Sequence, residues 1–324
     1  MRAVVYHNYG SPEVLAYEDV EKPTAGDDEV LIKVRAASVN PLDWHFMRGE
    51  PSFIRAMSGL RRPKITRLGV DMAGQVEAVG GRVTQFKPGD QVFGSCRGAF
   101  AEYVCASESA LVVKPGSLTF EQAASAPVAA CTALQGLRDK GHIRSGQKVL
   151  INGAAGGVST FAVQIAKSFG AEVTGVCGTR NVEMVRSIGA DRVIDYTRED
   201  FASNGQRYDL FFDCFANHSL SACRRVLTSN GIYIAVGGPR LAGRLSGLLG
   251  RWIAGVVLSQ FVSQKFIVLM LRSRKEYLAA IRDLMEAGTV VPVIDRVYTF
   301  SEVPQALGYL EEGHARGKVV ITVE

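Results

Sequence analysis

The sequence predicts an α/β protein: a doubly wound parallel sheet inserted into a small barrel-like β domain. The first observation is a unit centred on residues 149–167. There Val149-Leu150-Ile151 runs straight into Gly153-Ala154-Ala155-Gly156-Gly157, and Phe161, Ala162, Ile165 and Ala166 follow at helical spacing. The second is a change of period near Pro127, from short strands with Gly and Pro turns to strands alternating with helices. The third is a return to mixed structure at the end of the chain.

Taken in order, Ala3–Tyr6, Glu29–Ala37, Met72–Val79, Gln91–Phe93 and Ala99–Cys105 read as strands, punctuated at Gly26, Gly80-Gly81, Pro88-Gly89-Asp90 and Gly94. Asn40 and Asp43 lie where the second of these gives way to a loop. Pro127–Leu137 reads as a helix, Glu172–Cys177 as a strand and Val182–Ser187 as a helix. Arg192–Ile194 and Leu210–Asp213 read as strands, Ser219–Leu227 as a helix, and Gly231–Val236 as a strand closed by Gly237-Gly238-Pro239. Strands joined by crossover helices make a parallel, Rossmann-type sheet. Lys275–Ala287 is a helix, Val290–Phe300 is extended, Ser301 and Pro304 suggest a helix start, and Lys318–Val323 is a last strand. The expected division is 127–270 for the dinucleotide domain, with 1–126 and 271–324 forming the other.

Composition excludes several classes. An apolar content of 47%, a charged content of 21% and a net charge of +5 describe a globular protein with no basic, aromatic-interleaved nucleic-acid motif. No charged n-region with an apolar core opens the chain, and Trp252–Leu258 is far short of the roughly 18 apolar residues of a membrane span. The six cysteines are scattered without a C-x-x-C, which fits a reducing cytoplasm better than a disulfide or zinc framework.

The glycine turn departs from G-x-G-x-x-G, which would occupy 154, 156 and 159; those positions hold Ala154, Gly156 and Ser159. The glycine that lets phosphates approach is kept, and Ala and Ser are small. Gly153, Ala155, Gly156, Gly157 and Val158 are therefore the expected pyrophosphate contacts, at a helix N-terminus with unpaired N–H donors. An NAD site places an acid about 20 residues further on. This chain has Cys177-Gly178-Thr179-Arg180-Asn181 there, with the next acid at Glu183. Thr179 and Arg180 suit a 2′-phosphate, so the expected cofactor is NADPH.

Longer stretches point to a family. A-S-V-N-P-L-D (37–43), L-G-V-D-M-A-G-Q-V-E-A-V-G (68–80), F-K-P-G-D-Q-V-F-G (86–94), G-A-F-A-E-Y-V (98–104), A-A-S-A-P-V-A-A-C-T-A-L (123–134) and H-A-R-G-K-V-V-I (314–321) resemble the medium-chain dehydrogenase/reductase superfamily, on its zinc-independent quinone oxidoreductase side. The resemblance implies a GroES-like first domain. Zinc-dependent members carry a Cys where this chain has Asn40 and a His-Glu pair where it has Val70-Asp71. Five histidines do not supply a replacement set. Without that Lewis acid, the implied reaction is hydride transfer from NADPH to an acceptor already electrophilic, a quinone or an α,β-unsaturated carbonyl. The resemblance also implies Asn40 near the nicotinamide and substrate, Thr132 at a helix start near the carboxamide, and Tyr196 beside the 2′-phosphate. Phe215 would flank the adenosine, Gly237 and Gly238 lie near the nicotinamide, and Lys318 reaches the phosphates. Asp43 is a candidate general acid, or a turn cap.

One segment fits none of this. Cys214–Lys275 holds no acid and nine basic residues, among them Arg244 and Arg251, and is strongly apolar between Leu241 and Leu271. It reads as a pocket lid, a homodimer surface or an interfacial membrane helix. Pro51–Val70 is a smaller acid-free run with Arg55, Arg61, Arg62, Lys64 and Arg67, expected as a loop favouring anionic substrates. The main reading is an enzyme acting on a small-molecule acceptor. The alternatives are a non-catalytic NADPH sensor or membrane-associated protein on the same fold, and an alcohol dehydrogenase with displaced metal ligands.

Overall fold

A computed structural model of the chain describes residues 1–236, 255, 262–272 and 274–323. The chain divides into two compact units, one of 1–128, 273–287 and 294–324, the other of 129–272 and 288–293. The sequence expectation put all of 271–324 in the first. Gly288–Val293 go instead with the second, where the Gln164 side chain bonds both backbone groups of Val291 at 2.8 and 2.9 Å.

In the first unit β1 (Arg2–Tyr6) pairs antiparallel with β2 (Leu15–Asp19). The larger sheet is organised on β3 (Glu29–Val39), an eleven-residue strand flanked by β4 (Asp71–Val79) and β15 (Lys318–Thr322), with β6 (Tyr103–Ser107) also paired to it. Beyond them lie β5 (Gln91–Ser95), β7 (Leu111–Val113) and β14 (Ile294–Thr299), giving the order β14-β15-β3-β4-β5-β7. Val30, Ile32, Val34, Met72, Phe100, Leu111, Val319 and Ile321 face a common core. This alternation of apolar positions over antiparallel strands is what the sequence pattern requires.

The expected loop after β3 is partly helical: α1 (Pro41–Arg48) and α2 (Phe53–Ser58). Pro41 at the first helical position and Asp43 three residues after Asn40 supply the start signal. Similarly, the helix Val303–Glu312 is preceded by a turn capped by Thr299 with Glu302, rather than by Ser301.

The second unit holds β8 (Lys148–Asn152), β9 (Glu172–Cys177), β10 (Arg192–Asp195), β11 (Tyr208–Asp213), β12 (Leu227–Ala235) and β13 (Lys265–Val268). All pair in parallel, in the order β10-β9-β8-β11-β12-β13. That is the 3-2-1-4-5-6 order of a Rossmann sheet, with its switch point between β8 and β11. Helix α5 (Gly157–Ser168) follows β8, and its residues from Ser159 to Ala166 are all buried. The helix expected to reach Leu227 ends at Arg225, because Leu227 already pairs with Tyr208 in the sheet. β13 was not expected at all, and it lies in the acid-free segment. Residues 237–254 and 256–261 of that segment, which include Arg244 and Arg251, lie outside the described residues.

Candidate functional site

At the switch point the chain leaves β8 through a turn whose geometry is set by glycine. Gly153 has φ +78°, and its N–H and that of Ala154 both donate to the Val176 carbonyl at 3.1 and 2.8 Å. Gly156 is the N-cap of α5, so the amides of Gly157, Val158 and Ser159 open the helix without intrahelical acceptors. These are the donors a pyrophosphate requires. Both departures from the glycine pattern are fully buried small residues. Ala154 is fully buried against Gly175 of β9, where a second Cβ would come to 3.0 Å. Ser159 is also fully buried, its hydroxyl beside the Cys214 thiol. Ala155 is buried, and Gly153, Gly156, Gly157 and Val158 are half-buried.

Across the switch point Asp213 ends β11. Its Oδ1 accepts from Asn152 Nδ2 at 2.9 Å, from the Phe215 N–H at 3.0 Å and from the Ala216 N–H at 2.7 Å. This ties the ends of β8 and β11 and holds Phe215 half-exposed, its ring 3.3 Å from where a Gly153 Cβ would stand.

The end of β9 differs from expectation. Thr179 and Arg180 are exposed as the sequence implies, and Tyr196, also exposed, leans over Gly178. But the Thr179 hydroxyl donates to Asp195 at 2.6 Å and meets the Thr197 hydroxyl at 3.0 Å. The tertiary fold thus brings to this spot a carboxylate 16 residues away in sequence. Its hydrogen bond from Thr179 holds the Asp195 carboxyl below its usual range, and Arg198 lies 3.6 Å from it. The parallel pairing of β10 with β9, which sets Asp195 opposite Cys177, is the cause. Thr132, expected at a helix start, is not at one. It lies within α4 (Pro127–Leu134), half-buried, because Pro127 starts that helix five residues earlier. Gly237 and Gly238 lie outside the described residues.

In the first unit, Asn40, Asp43, Asp71 and Lys318 form a buried polar cluster, each no more than 3% exposed. The Lys318 ammonium donates to Asn40 Oδ1 at 2.7 Å and lies 4.0 Å from Asp71 Oδ2. Asn40 Nδ2 donates to Asp71 Oδ2 at 3.0 Å and to the Ser38 carbonyl at 3.3 Å. Asp71 also accepts from Ser38 Oγ at 3.3 Å and from the Val128 N–H at 3.1 Å. The amide of Asn40 therefore has one orientation, fixed by a cation on its oxygen and a carboxylate on its nitrogen. Burial pushes the Asp71 carboxyl up and the Lys318 ammonium down, and each holds the other's charge against that penalty.

Two expectations bear on this cluster. Lys318, expected to reach the phosphates, is buried here; Val319, which follows it on β15, pairs with Val39, which places its ammonium at Asn40. Asp43 is not disposed as a general acid. Its Oδ2 accepts the Asn40 N–H at 2.8 Å and its Oδ1 the Gly69 N–H at 3.1 Å, which closes the start of α1. Burial raises its carboxyl to about 7.

The cluster also bears on zinc. The positions where metal-dependent relatives carry Cys and His-Glu hold a saturated amide, a valine, and a carboxylate already facing an ammonium. This donor set does not suit a catalytic zinc, which takes three N, S or O ligands and an open position. Among the described residues no group of three or more His, Cys, Asp or Glu side chains is gathered for a metal.

Comparison with known proteins agrees with this architecture. The alcohol dehydrogenase GroES-like domain model matches residues 26–116, and the zinc-binding dehydrogenase model matches 188–321. The chain is 33% identical to the chloroplast envelope quinone oxidoreductase homolog of Arabidopsis thaliana, over 99% of this chain and 98% of that one. It is 34% identical to the chloroplastic NADPH-dependent alkenal/one oxidoreductase of the same plant, over 99% of this chain and 79% of that one. The solved quinone oxidoreductase from Coxiella burnetii superposes with a TM-score of 0.86 at 30% identity, covering 100% of this chain and 99% of that one. The chain belongs to the medium-chain dehydrogenase/reductase superfamily, with quinone oxidoreductases among its relatives.

Proposed function

We propose that this member of the superfamily is a zinc-independent reductase that uses NADPH to reduce quinones or α,β-unsaturated carbonyls. The observation that carries the reading is the glycine turn at the switch point, with Arg180 and Tyr196 at the ends of the next two strands. The backbone of Gly153, Gly156, Gly157 and Val158 would hold the pyrophosphate, and Phe215 would flank the adenosine. Arg180, Tyr196 and the nearby Arg198 would hold the 2′-phosphate. The Asp195 carboxylate, kept ionised by its hydrogen bond from Thr179, counts against a 2′-phosphate, and on this reading Arg180 and Arg198 outweigh it.

When bound, NADPH supplies a hydride to an electron-poor carbon. The chain's own part is to orient and exclude water. Asn40 is held rigid by Lys318 and Asp71, and Thr132 contributes a half-buried hydroxyl. A quinol or enolate oxygen can take its proton from water, so no general acid is required, which accords with Asp43 being engaged by backbone. The reading is supported by relatives whose names specify quinone and NADPH-dependent alkenal/one reduction. A cytoplasmic homodimer completes the proposal; no described helix is long and apolar enough to cross a membrane.

The test is NADPH oxidation against a panel of quinones, enals and enones, with a strong chelator present. Turnover of at least one acceptor class is expected. Cofactor binding without turnover across the panel would favour a sensor, and turnover abolished by the chelator would refute zinc independence.

A further inference from the structure

Helix α2 is short, and its two faces differ. Ile54 and Ser58, four residues apart, are buried. Phe53 and Met57, also four apart, point outward, 44% and 76% exposed. The chain then makes a closed loop. The Gly59 N–H donates to the Arg55 carbonyl at 2.8 Å, and the Lys64 N–H returns to the Ser58 carbonyl at 2.7 Å. Gly59 has φ +124°, and a Cβ there would collide with the Arg62 carbonyl, so the loop is folded tightly on itself. Its tip is Leu60-Arg61-Arg62. Leu60 is 74% exposed and both arginines are exposed, followed by exposed Lys64 and Ile65.

This surface is held in place from behind. The Tyr9 hydroxyl donates to the Gly59 carbonyl at 2.6 Å and meets Ser58 Oγ at 2.9 Å. Arg55 stacks 4.9 Å over the Tyr9 ring and donates to the Gly49 carbonyl at 3.1 Å. Exposure of large apolar side chains on a braced loop carries a solvation cost that a partner would remove. From Pro51 to Val70 there is no acidic residue. Apolar tips flanked by arginine and lysine match a surface with an anionic layer above hydrocarbon.

We propose that Phe53, Met57 and Leu60, flanked by Arg61, Arg62 and Lys64, dock this protein reversibly on anionic bilayers. The apolar side chains enter the interface, and the cations lie in the headgroup layer. The inference goes beyond the reductase reading and does not depend on it, since binding is measured without turnover.

The experiment is co-sedimentation of the full chain with phosphatidylcholine vesicles, with and without about one-third phosphatidylserine. Binding to the anionic vesicles alone, weakened by salt, is expected. Arg61→Gln with Arg62→Gln should lower the partition coefficient about thirtyfold, from roughly one increment of surface attraction per arginine. Met57→Asp with Leu60→Asp should lower it as far without changing the arginines. All four positions are exposed, so thermal midpoints should match wild type. Light scattering is run on every variant. Failure of the wild type to bind anionic vesicles, or wild-type binding by either pair, would overturn the proposal. So would conversion of an oligomer to a monomer by Leu60→Asp, which would assign the surface to a second copy.

Discussion

The polar cluster under α1 and the glycine turn after β8 solve opposite problems. The cluster is built from side chains, is almost wholly buried, and nearly every polar atom in it already has a partner inside the same unit. The turn is built from backbone, with no charged side chain between Asn152 and Gln164, and its amides at the start of α5 have no acceptor within the helix. A turn proposed to receive a large anion keeps its donors free. A site that must hold one amide in one orientation spends everything it has. Substitutions should therefore act on stability in the first and on ligand affinity in the second.

The largest effect is expected from Lys318→Met, which leaves Asp71 buried without its cation. Denaturant unfolding should show a loss of about 3–5 kcal/mol. Adding Asp71→Asn should recover a substantial part of it; a single variant within about 1 kcal/mol of wild type would separate these residues energetically. Asp43 gives a pH test. Its folded carboxyl, raised to about 7 from 3.8, binds protons that the unfolded chain has already released. Its contribution therefore makes stability fall as pH rises between those values, the reverse of ordinary acid denaturation. Asp43→Asn should flatten that slope in unfolding curves collected across the range.

In the second unit, Gly153→Val forces a β-branched residue to φ +78° beside the Phe215 ring. Strain of about 1–2 kcal/mol is expected, with NADPH affinity, read by fluorescence titration, falling more than stability does. Arg180→Ala has the smallest effect on the fold: no change in melting, with a loss of about tenfold in NADPH affinity and little change in NADH affinity.

Much of the second unit was legible because its signals are local. Strand β9 and helix α6 (Val182–Ser187) have the bounds their apolar pattern gives, and the turn is contiguous in sequence. The first unit's cluster was not, because Asn40, Asp71 and Lys318 come from three strand ends far apart in the chain and meet only through the pairing of β3 with β4 and β15. Nothing local says which way Lys318 points. Asp195 was missed for the same reason. Its carboxylate joins Thr179 through the β9–β10 register, whereas the first acid along the chain after Arg180 is Glu183. Asp43 could be read as an acid or as a cap, and only burial with two backbone donors decides for the cap.

The central claim is that the turn and the ends of β9 and β10 form a nucleotide site selective for a 2′-phosphate. Calorimetric titration of NADPH and NADH into the wild-type protein tests it most directly. The expected result is binding of NADPH at least about tenfold tighter than NADH. Equal affinities, or tighter NADH binding, would contradict it.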